Sequence, residues 1–505
     1  MTIYNINLGI GWASSGVEYA QAYRASVLRE QGIPAKFIFT DMFQSENLQH
    51  FTSNIGFKDH EIIWLYGFFT DIKVAPTTYS KAELEKSFPS PISKIENNGR
   101  LVRYYFENQD YYVNATLCGQ ENKAVQRVEH VSKGKLIRKD YYSYTKVFSE
   151  YYAPSNDKPH LYQRTFFNED GSLAYEEIVM ENRSIFQFSD EICYSKDDLV
   201  AYMLKQLHLS HQDIILLDRA TGIGQAVLQH RGAAKLAVVI HAEHFSVNRT
   251  DDDNILWNNY YDYQFTNADK IDAFIASTEK QKTVLEQQFK KYNHMEPRVY
   301  AIPVGSLDEL KYPSQARKPF SLLTGSRLAG EKHIDWLVSA VILAHDKLPG
   351  LTFDIYGEGG ERSKLGELIQ KGSAQNYISL KGHQDLRDIY QNYQVYLTAS
   401  TSEGFGLTLM EAVGSGLPLI GLDVPYGNQT FVEDGKNGYL IPRQEPDDSK
   451  QMAKAFAEKI IQYFQDMDKE KAQEYSYSKA ENFLYDHLAK LWKSFMEEMT
   501  HDNSI

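Results

Sequence analysis

The sequence predicts an α/β protein with two doubly wound, Rossmann-like parallel sheets and an antiparallel β-meander inserted into the first of them. Short buried strand patterns alternate with helical patterns over residues 1–60, and the same alternation returns after residue 200, which is typical of parallel sheets. Between residues 61 and 195, aromatic-rich segments with a period of two, such as RYYFENQDYYVNATL, replace that alternation. A period of two indicates half-exposed antiparallel strands, so this region is interpreted as an insertion.

Length and composition limit the class of protein. The 505 residues exceed one ordinary domain, and a hydrophobic fraction of 42% supplies two or three packed cores. Asp and Glu outnumber Lys and Arg by 67 to 53, which excludes a broad basic face for nucleic acid or an anionic membrane. Two cysteines, no leader-like start in MTIYNINLGI and no long apolar run predict a cytoplasmic protein. Peripheral attachment to the inner face of the cell membrane stays open.

The first βαβ element contains a glycine loop that does not match a dinucleotide site. Residues 3–10 predict a buried strand, VEYAQAYRASVLREQG a helix and AKFIFT a second strand. A dinucleotide fingerprint needs its third glycine three positions after the second, whereas Gly16 lies five positions after Gly11. The spacing disfavours a nicotinamide cofactor and leaves a loop that can approach a phosphate closely.

Three glycines mark hairpins of the predicted meander. Gly99, Gly134 and Gly171 each follow a polar turn and precede an aromatic or β-branched strand. Three repeats are too few for a solenoid but fit successive hairpins. For the tyrosines, packing in a half-buried sheet is favoured over a binding role. Because the insert carries no candidate cluster of charges, we expect it to serve protein contacts.

The strand and helix patterns predict four segments. After residue 200 the predicted strands are DIILLD, KLAVVIH, AFIAS, SLLTGSRL, TFDIYGEG, YISLKGH, VYLTAS and PLIGLD. A break between Pro303 and Pro319 is typical of a hinge between two domains. The predicted segments are a Rossmann-like N-terminal domain at 1–60 and 196–303, the insert at 61–195, a Rossmann-like C-terminal domain at 304–480 and a helical tail at 481–505.

The stretch TSEGFGLTLMEA, residues 401–412, carries the main candidate site. A glycine loop joins the strand VYLTAS to the helix LTLMEAVGSG, so the helix begins at the carboxyl edge of a parallel sheet. Unpaired N–H groups and the helix dipole favour a phosphate there; these groups belong to Phe405, Gly406, Leu407 and Thr408. Glu403 and Glu411 could hold two sugar diols, which together with phosphates describe a nucleotide sugar. The spacing alone fits equally well a helix-dipole partner at Glu403 and an exposed residue at Glu411.

Two cations and a histidine follow other predicted strands. SLLTGSRLAGEK places Arg327 just past a strand end and Lys332 at the next helix start, where a diphosphate leaving group fits. KLAVVIHAEH ends a strand at His241, again at the ligand edge. His241 and His244 lack the spacing of metal ligands on a helix, so a hydrogen bond from His241 to a bound sugar is favoured over a metal.

Together these features resemble the retaining GT-B glycosyltransferases of family GT4 over residues 1–60 and 200–500. The resemblance rests on the segments GSGLPLIG and VEDGKNGYLI and on four residues: Arg327, Lys332, Glu403 and Glu411. The insert and the start GWASSGVEYAQAYR are similar to the catalytic subunits of bacterial accessory-secretion O-GlcNAc transferases. The resemblance implies transfer of GlcNAc from UDP-GlcNAc to serine and threonine of serine-rich-repeat adhesins. It also implies a GtfB-like partner subunit, which we expect the insert to bind together with the acceptor.

The resemblance also implies roles for the site residues. The catalytic set would be Arg327 and Lys332 on the diphosphate with Glu403 and His241 on the GlcNAc. The donor-binding set would be Gly16, Val17, Glu18 and Tyr19 near the phosphates, His383 and Gln384 at the uracil, Gly404, Phe405, Gly406, Leu407 and Thr408 around the sugar and phosphates, and Glu411 at the ribose. In such enzymes the departing phosphate oxygen can take the acceptor proton, so neither a metal, another cofactor nor a protein base is implied. One departure is His333, which stands where the family has a glycine after Glu-Lys.

Two other functions stay open. A wall-teichoic-acid GlcNAc transferase shares the fold and the insert. Its polyol phosphate acceptor would favour a basic groove, which the acidic composition of this chain does not indicate. A non-catalytic, substrate-holding partner of the same fold would not need the full set of cations and carboxylates. The sequence therefore favours the peptide O-GlcNAc transferase.

Overall fold

The computed structural model describes residues 1–12, 14–107, 110–119, 123–155, 158–181, 183–443 and 446–501. The chain forms two compact units. The first contains Met1–Val238 and Tyr263–Asp272, and the second contains Val239–Asp262 and Ala273–Ile505. The four domain boundaries drawn from the sequence stay predictions.

Strands and helices alternate at both ends of the chain and give way to strands alone in between. The strands are β1 (Ile3–Asn7), β2 (Ala35–Phe39), β3 (Ile62–Trp64), β4 (Ile92–Asn98), β5 (Leu101–Phe106), β6 (Tyr111–Cys118), β7 (Ala124–Ser132), β8 (Lys135–Tyr142), β9 (Lys146–Ser155), β10 (Lys158–Phe167), β11 (Leu173–Val179), β12 (Ser184–Gln187), β13 (Ile192–Cys193), β14 (Ile214–Leu217), β15 (Lys235–Ile240), β16 (Ala273–Ala276), β17 (Val299–Ala301), β18 (Ser321–Gly325), β19 (Thr352–Tyr356), β20 (Ile378–Gly382), β21 (Val395–Thr398), β22 (Leu419–Leu422) and β23 (Gly438–Ile441). The helices are α1 (Gly16–Glu30), α2 (Leu48–Asn54), α3 (Lys81–Ser87), α4 (Lys196–Gln206), α5 (Gly224–His230), α6 (Asp262–Thr266), α7 (Glu279–Gln288), α8 (Ile334–His345), α9 (Arg362–Lys371), α10 (Leu407–Gly414), α11 (Gly427–Phe431), α12 (Ser449–Asp466), α13 (Lys469–Ala480) and α14 (Tyr485–His501). Among the described residues, no helix is long and apolar enough to cross a bilayer.

The first unit contains a parallel sheet in the order β15–β14–β1–β2–β3. Ile3 pairs with Ile214 on one side and with Ala35 on the other, so β1 lies in the middle of this sheet. β14 and β15 are short and mostly apolar on both faces, as their hydrophobic runs predicted. The predicted opening strand, helix and second strand are confirmed as β1, α1 and β2.

The insert is a ten-stranded antiparallel sheet in which each strand from β4 to β13 pairs with the next along the chain. The three glycines that predicted hairpins lie in the turns β4–β5, β7–β8 and β10–β11. Gly99, Gly134 and Gly171 have φ values of +60°, +72° and +82°, a left-handed conformation that a glycine adopts without strain. The meander predicted from the period of two is confirmed.

Aromatic side chains form much of the hydrophobic core of the insert. Tyr104 and Tyr175 are fully buried, and the ring of Tyr175 stacks on Phe166 with centroids 4.4 Å apart. The hydroxyl group of Tyr175 donates a hydrogen bond to the carbonyl oxygen of Tyr66, so a buried tyrosine also satisfies its polar end. These contacts agree with the interpretation of the tyrosines as packing residues.

The second unit contains a six-stranded parallel sheet in the order β20–β19–β18–β21–β22–β23. The order reverses between β18 and β21, so the loops after these two strands lie at a topological switch point, where α/β proteins bind ligands. Apolar layers cover both faces of the sheet. Leu337 and Phe456, from α8 and α12, belong to one layer, and Leu409 and Phe431, from α10 and α11, belong to the other. The doubly wound sheet predicted for this region is confirmed, and β23 is a strand that the sequence reading did not identify.

Candidate active site

A glycine loop connects β21 to α10 at the switch point of the second sheet. Gly406 precedes the first residue of α10 and has a φ of +87°. A Cβ atom on Gly406 would lie 2.8 Å from Leu409 Cδ1, and one on Gly404 would lie 2.8 Å from the carbonyl oxygen of His241. Close backbone packing therefore favours glycine at position 404, and the positive φ favours it at position 406, so Phe405 carries the one side chain of residues 404–406.

A second segment fixes the position of this loop. The N–H groups of Tyr426 and Gly427 both donate to the carbonyl oxygen of Glu403, at 3.0 and 2.8 Å. A Cβ atom on Gly427 would lie 2.1 Å from the carbonyl oxygen of Phe405, so only a glycine fits at that point. The loop before α10 is held by main-chain bonds and is prepared before a ligand arrives.

The amino end of α10 offers a site for an anion. The N–H groups of Leu409 and Met410 bond to the carbonyl oxygen of Gly406, which closes the first turn. Gly406 has no side chain to cap the N–H groups at the start of α10. The side-chain oxygen of Thr408 accepts a hydrogen bond from the hydroxyl of Tyr396. The geometry matches the phosphate site predicted from SEGFG, while contact with a phosphate stays a prediction.

Lys332 and Glu403, which are 71 positions apart, meet in an ion pair. Lys332 Nζ lies 2.7 Å from Glu403 Oε2, and the two side chains are only 17% and 21% exposed. Arg327 lies on the same loop as Lys332, but its side chain is 78% exposed and pairs with Glu331 at 3.1 Å. The structure thus brings Lys332 to the glycine loop and leaves Arg327 in solvent.

His333 occupies the position after Glu-Lys at which the family pattern has a glycine. The residue adopts a left-handed conformation with a φ of +43° immediately before α8, and this is a backbone shape that normally favours glycine. Its ring stacks on Trp336 with centroids 3.8 Å apart, and burial lowers the pKa of the imidazole. The stacking contact stabilises His333 and offsets part of the strain of its left-handed backbone.

Glu411 lies inside α10 and is not the exposed helix residue that the alternative reading described. Its Oε2 atom accepts a hydrogen bond from the hydroxyl of Tyr390 at 2.9 Å, and burial raises the pKa of the carboxyl group. Tyr390 carries no local motif, so its contact with this carboxylate could not be predicted from the sequence. The predicted contact of Glu411 with a ribose stays a prediction.

The segment after β15 carries His241 at the carboxyl end of its strand, as predicted. The N–H groups of His241 and Ala242 donate to the hydroxyl of Tyr261 at 3.0 and 3.1 Å, and the amide of Gln281 donates to the carbonyl of Ala242 at 2.9 Å. Since Gly404 packs on the His241 carbonyl, this segment and the glycine loop belong to one site. The role of the His241 side chain toward a sugar stays a prediction.

His383 and Gln384 follow β20 directly, at the same edge of the sheet as the glycine loop. Both side chains are exposed, and the Gln384 amide donates to the carbonyl of Lys381 at 3.1 Å. Their main chain follows Gly382, whose φ is +74°. The structure supports their position at the ligand edge, and the predicted contact with uracil stays untested.

In the first unit, Gly16, Val17, Glu18 and Tyr19 form the first turn of α1. Ser15 caps this helix, and the buried carboxylate of Glu18 accepts bonds from the Ser15 N–H and from Asn7. Arg219 reaches the same turn, donating to the Ser15 hydroxyl at 2.8 Å and pairing with Glu18 at 3.4 Å. Sequence reasoning missed this cation because Arg219 lies 204 positions away from Ser15.

Metal-ligating residues do not cluster within the part of the chain that the structure describes. No group of three or more His, Cys, Asp or Glu side chains there has a geometry that could hold a metal ion. His244, the neighbour considered with His241, is fully buried and bonds through Nε2 to Gln288 at 2.7 Å.

Comparison with known proteins supports the fold. A family model described as "Glycosyl transferases group 1" matches residues 319–466, and one described as "GtfA extended beta-sheet domain" matches residues 94–190. The crystal structure of the pneumococcal O-GlcNAc transferase GtfA in complex with UDP and GlcNAc is 56% identical, covers 99% of both chains and superposes with a TM-score of 0.93. TarM, at 19% identity and a TM-score of 0.79 over 98% of both chains, shares the fold. These neighbours show the GT-B fold and confirm the predicted fold class with its inserted antiparallel sheet.

Two curated relatives match along their whole length. The chain is 64% identical over 504 residues to the "UDP-N-acetylglucosamine–peptide N-acetylglucosaminyltransferase GtfA subunit" of Streptococcus parasanguinis, which covers 99% of this chain and 100% of the relative. It is 60% identical over 506 residues to the protein of the same name from Streptococcus agalactiae, with 100% of both chains covered. This chain belongs to the family of GtfA subunits of UDP-N-acetylglucosamine–peptide N-acetylglucosaminyltransferases.

Proposed function

We propose that this chain is a retaining glycosyltransferase that moves GlcNAc from UDP-GlcNAc to serine and threonine hydroxyls of a serine-rich-repeat adhesin. It acts as the catalytic subunit of a complex with a GtfB-like partner. The observation that carries the proposal is the Lys332–Glu403 ion pair beside the glycine loop that leads into α10. The names of the two relatives, which state the donor and a peptide acceptor, support the same function.

In this proposal, cations and backbone amides hold the diphosphate. Lys332 is largely shielded from water, so its charge acts more strongly than it would on the surface. Arg327 is held only by an exposed pair with Glu331, and such pairs contribute at most about 1 kcal/mol. Arg327 can therefore exchange Glu331 for a phosphate at little cost, while Lys332 and the amino end of α10 remain in place.

These groups also support the chemical step. As the bond between the anomeric carbon and the diphosphate breaks, negative charge develops on the leaving oxygen, and Lys332, Arg327 and the N–H groups of α10 offset it. The leaving oxygen takes the proton of the acceptor hydroxyl, and the new bond forms on the face that the diphosphate has left. The anomeric configuration is retained, and no protein base is needed.

Because the chain's own cations supply the charge stabilisation, we propose that transfer needs no divalent metal. Activity is then expected to persist in excess EDTA at the rate measured without it. A loss in EDTA that Mg²⁺ or Mn²⁺ restores would contradict the proposed donor site.

The insert is the proposed surface for the partner and the acceptor. β4 forms one edge of the ten-stranded sheet, and its residues from Ser93 to Asn98 are exposed. Sheet edges of this kind accept further strands or partner surfaces. One solved neighbour, which is 55% identical over 99% of this chain with a TM-score of 0.96, is a GtfA/B complex, and that supports a partner of this type.

An exposed residue of β4 allows a test of this surface. Ile95 is 41% exposed, and Ile95→Asp places a charge on the edge strand without disturbing a core. We expect the variant to lose co-purification with the partner and to keep its UDP affinity. Leu343→Asp, on the exposed side of α8, is the control that should keep both. Normal co-purification of Ile95→Asp would contradict an interface at this edge.

The donor and acceptor are tested together by mass spectrometry. The chain with its partner is incubated with an acceptor peptide and, in separate reactions, with UDP-GlcNAc, UDP-glucose and UDP-GalNAc. We expect the mass of one N-acetylhexosamine on serine or threonine only with UDP-GlcNAc. Modification of poly(ribitol phosphate) in place of the peptide would favour the teichoic-acid alternative. UDP binding without transfer to either acceptor would favour the substrate-holding alternative.

The proposed location is the cytoplasm, with peripheral association at the inner face of the membrane. Cys118 and Cys193 are both free thiols, which supports a reducing compartment. Cell fractionation tests this proposal, since the chain should be released from membranes by a wash with high salt.

A further inference from the structure

Tyr426 contacts both segments that form the candidate sugar site. Its hydroxyl group donates to Glu243 Oε1 at 2.7 Å, and its N–H group donates to the carbonyl oxygen of Glu403 at 3.0 Å. The side chain is fully buried, and its ring lies nearly parallel to that of His244 with centroids 5.8 Å apart. One residue thus joins the segment that follows β15 to the glycine loop.

Glu243 is held in place from its own side. The amide of Asn258 donates to its carbonyl oxygen at 3.1 Å, and the N–H group of His244 donates to its carboxylate at 3.2 Å. The side chain is 26% exposed, and burial raises the pKa of the carboxyl group. In the described contacts, no Lys or Arg lies beside this partly buried carboxylate. The Tyr426 hydroxyl therefore stabilises its charge by donating a hydrogen bond.

The ring of His244 packs against Tyr426 and is the second possible acceptor of the Tyr426 hydroxyl proton. Burial lowers the pKa of His244 to about 4, so its ring is neutral near pH 7. The bond from Nε2 to Gln288 Oε1 requires the proton on Nε2, which leaves Nδ1 as an acceptor 3.2 Å from the Tyr426 hydroxyl. The hydroxyl proton therefore goes to the nearer acceptor, Glu243.

We propose that Glu243 and Tyr426 are a positioning pair that holds the glycine loop against the backbone of His241. Neither residue is assigned contact with the substrate. The loop and the His241 carbonyl already touch, since a Cβ on Gly404 would lie 2.8 Å from that oxygen, so a small shift of either segment changes the shape of the sugar site. Misplacement of about 1 Å in a reacting group can cost up to about a hundredfold in rate. The proposal rests on the proposed transfer of GlcNAc.

Three variants test the pair in the complex with the partner: Tyr426→Phe, Glu243→Ala and Glu243→Gln. We expect kcat for transfer from UDP-GlcNAc to fall about tenfold or more in Tyr426→Phe and Glu243→Ala. The UDP affinity measured by calorimetry should stay within about threefold of the wild-type value, because other residues are proposed to bind the diphosphate and the ribose. The double variant Tyr426→Phe, Glu243→Ala should be no slower than the slower single variant, because both remove the same hydrogen bond.

The Gln variant distinguishes positioning from a need for negative charge. An amide oxygen still accepts the Tyr426 hydroxyl, so Glu243→Gln should recover most of the rate that Glu243→Ala loses. Tyr312→Phe and Glu367→Gln, both on the exposed surface of the same unit, are controls expected to match the wild type.

Two kinds of result overturn the inference. Wild-type kcat in both Tyr426→Phe and Glu243→Ala would show that the pair does not position the loop. Equal loss in Glu243→Gln and Glu243→Ala would mean that the charge itself is needed. Failure of the proposed function is distinguishable, because the wild-type complex would then show no transfer from UDP-GlcNAc.

Discussion

Two regions of this molecule use buried charge in opposite ways. In the insert, the carboxylate of Glu150 accepts four hydrogen bonds, and these come from Gln44, Arg164, Tyr141 and Tyr152 at 2.6–2.9 Å. Arg164 also pairs with Glu177 at 2.9 Å, and both carboxylates are almost completely buried. In the second unit, Glu403 and Lys332 are bonded to each other and keep about a fifth of their surface exposed.

The difference separates a structural cluster from the candidate ligand site. A carboxylate whose lone pairs are all occupied cannot exchange its partners, because leaving an uncompensated buried charge costs several kcal/mol. Among the contacts of the described residues, the Lys332–Glu403 pair has unused hydrogen-bonding capacity on both groups, and it borders backbone that two glycines keep open. The number of hydrogen-bond partners therefore indicates function better than residue type does.

Removing the cation of the insert should have the largest effect on stability. Arg164→Met leaves Glu150 and Glu177 buried without their shared partner and should lower the free energy of unfolding by about 3–5 kcal/mol. Urea denaturation measures this loss, and UDP affinity of the folded protein should be unchanged. Arg387→Met, which breaks an exposed pair with Asp385, should change stability by less than about 1 kcal/mol. Equal effects of the two variants would remove the distinction drawn here.

Removing the cation of the site should act on catalysis instead. Lys332→Ala deletes charge stabilisation worth about 2–4 kcal/mol, so transfer should fall about 30- to 900-fold. The melting temperature should change little, because Glu403 can be solvated through its exposed surface. Lys371→Ala, on the exposed face of α9, is the matched control. Near-normal turnover in Lys332→Ala would place the diphosphate elsewhere.

The two glutamates of the stretch TSEGFGLTLMEA are expected to contact different parts of the donor, Glu403 the sugar and Glu411 the nucleotide. Glu403 precedes α10 beside Gly404, so Glu403→Gln should impair transfer more than UDP affinity. Glu411 lies within α10 against Tyr390, so Glu411→Ala should weaken UDP binding itself, by about tenfold. Calorimetric titration with UDP, together with initial rates, compares them. The opposite pattern would reverse the orientation of the donor along the helix.

The smallest effect at neutral pH is expected at His244. Burial lowers the pKa of this side chain from about 6.5 to about 4, so between these values the unfolded chain binds a proton that the folded chain does not. Stability is unaffected above pH 6.5 and falls as the pH drops through that window. His244→Gln should flatten the acid limb of the stability curve, whereas His211→Gln, at an exposed position, should not. Identical acid limbs for His244→Gln and the wild type would mean that this histidine does not titrate as described.

Much of the fold follows from local pattern. Short, mostly apolar runs predict β14, β15, β18, β19 and β21, because parallel strands are buried on both faces. The glycines of three hairpins and the loop before α10 are also evident, since glycine adopts their positive φ values without strain. The strand β23 escaped because GYLI is too short to show a period.

The partners of the site residues depended on tertiary structure. The sequence by itself determined that cations, carboxylates and glycines lie at the carboxyl ends of strands, since strand order and chain direction fix that edge. It did not determine three contacts: the ion pair of Lys332 with Glu403, the bond from the Tyr426 N–H group to the Glu403 carbonyl oxygen, and the bond from the Tyr390 hydroxyl to Glu411. These contacts join residues 21 to 71 positions apart, and side-chain periodicity carries no information across such distances, because it reports only which face of an element is buried. Folding of the second unit brings these residues together.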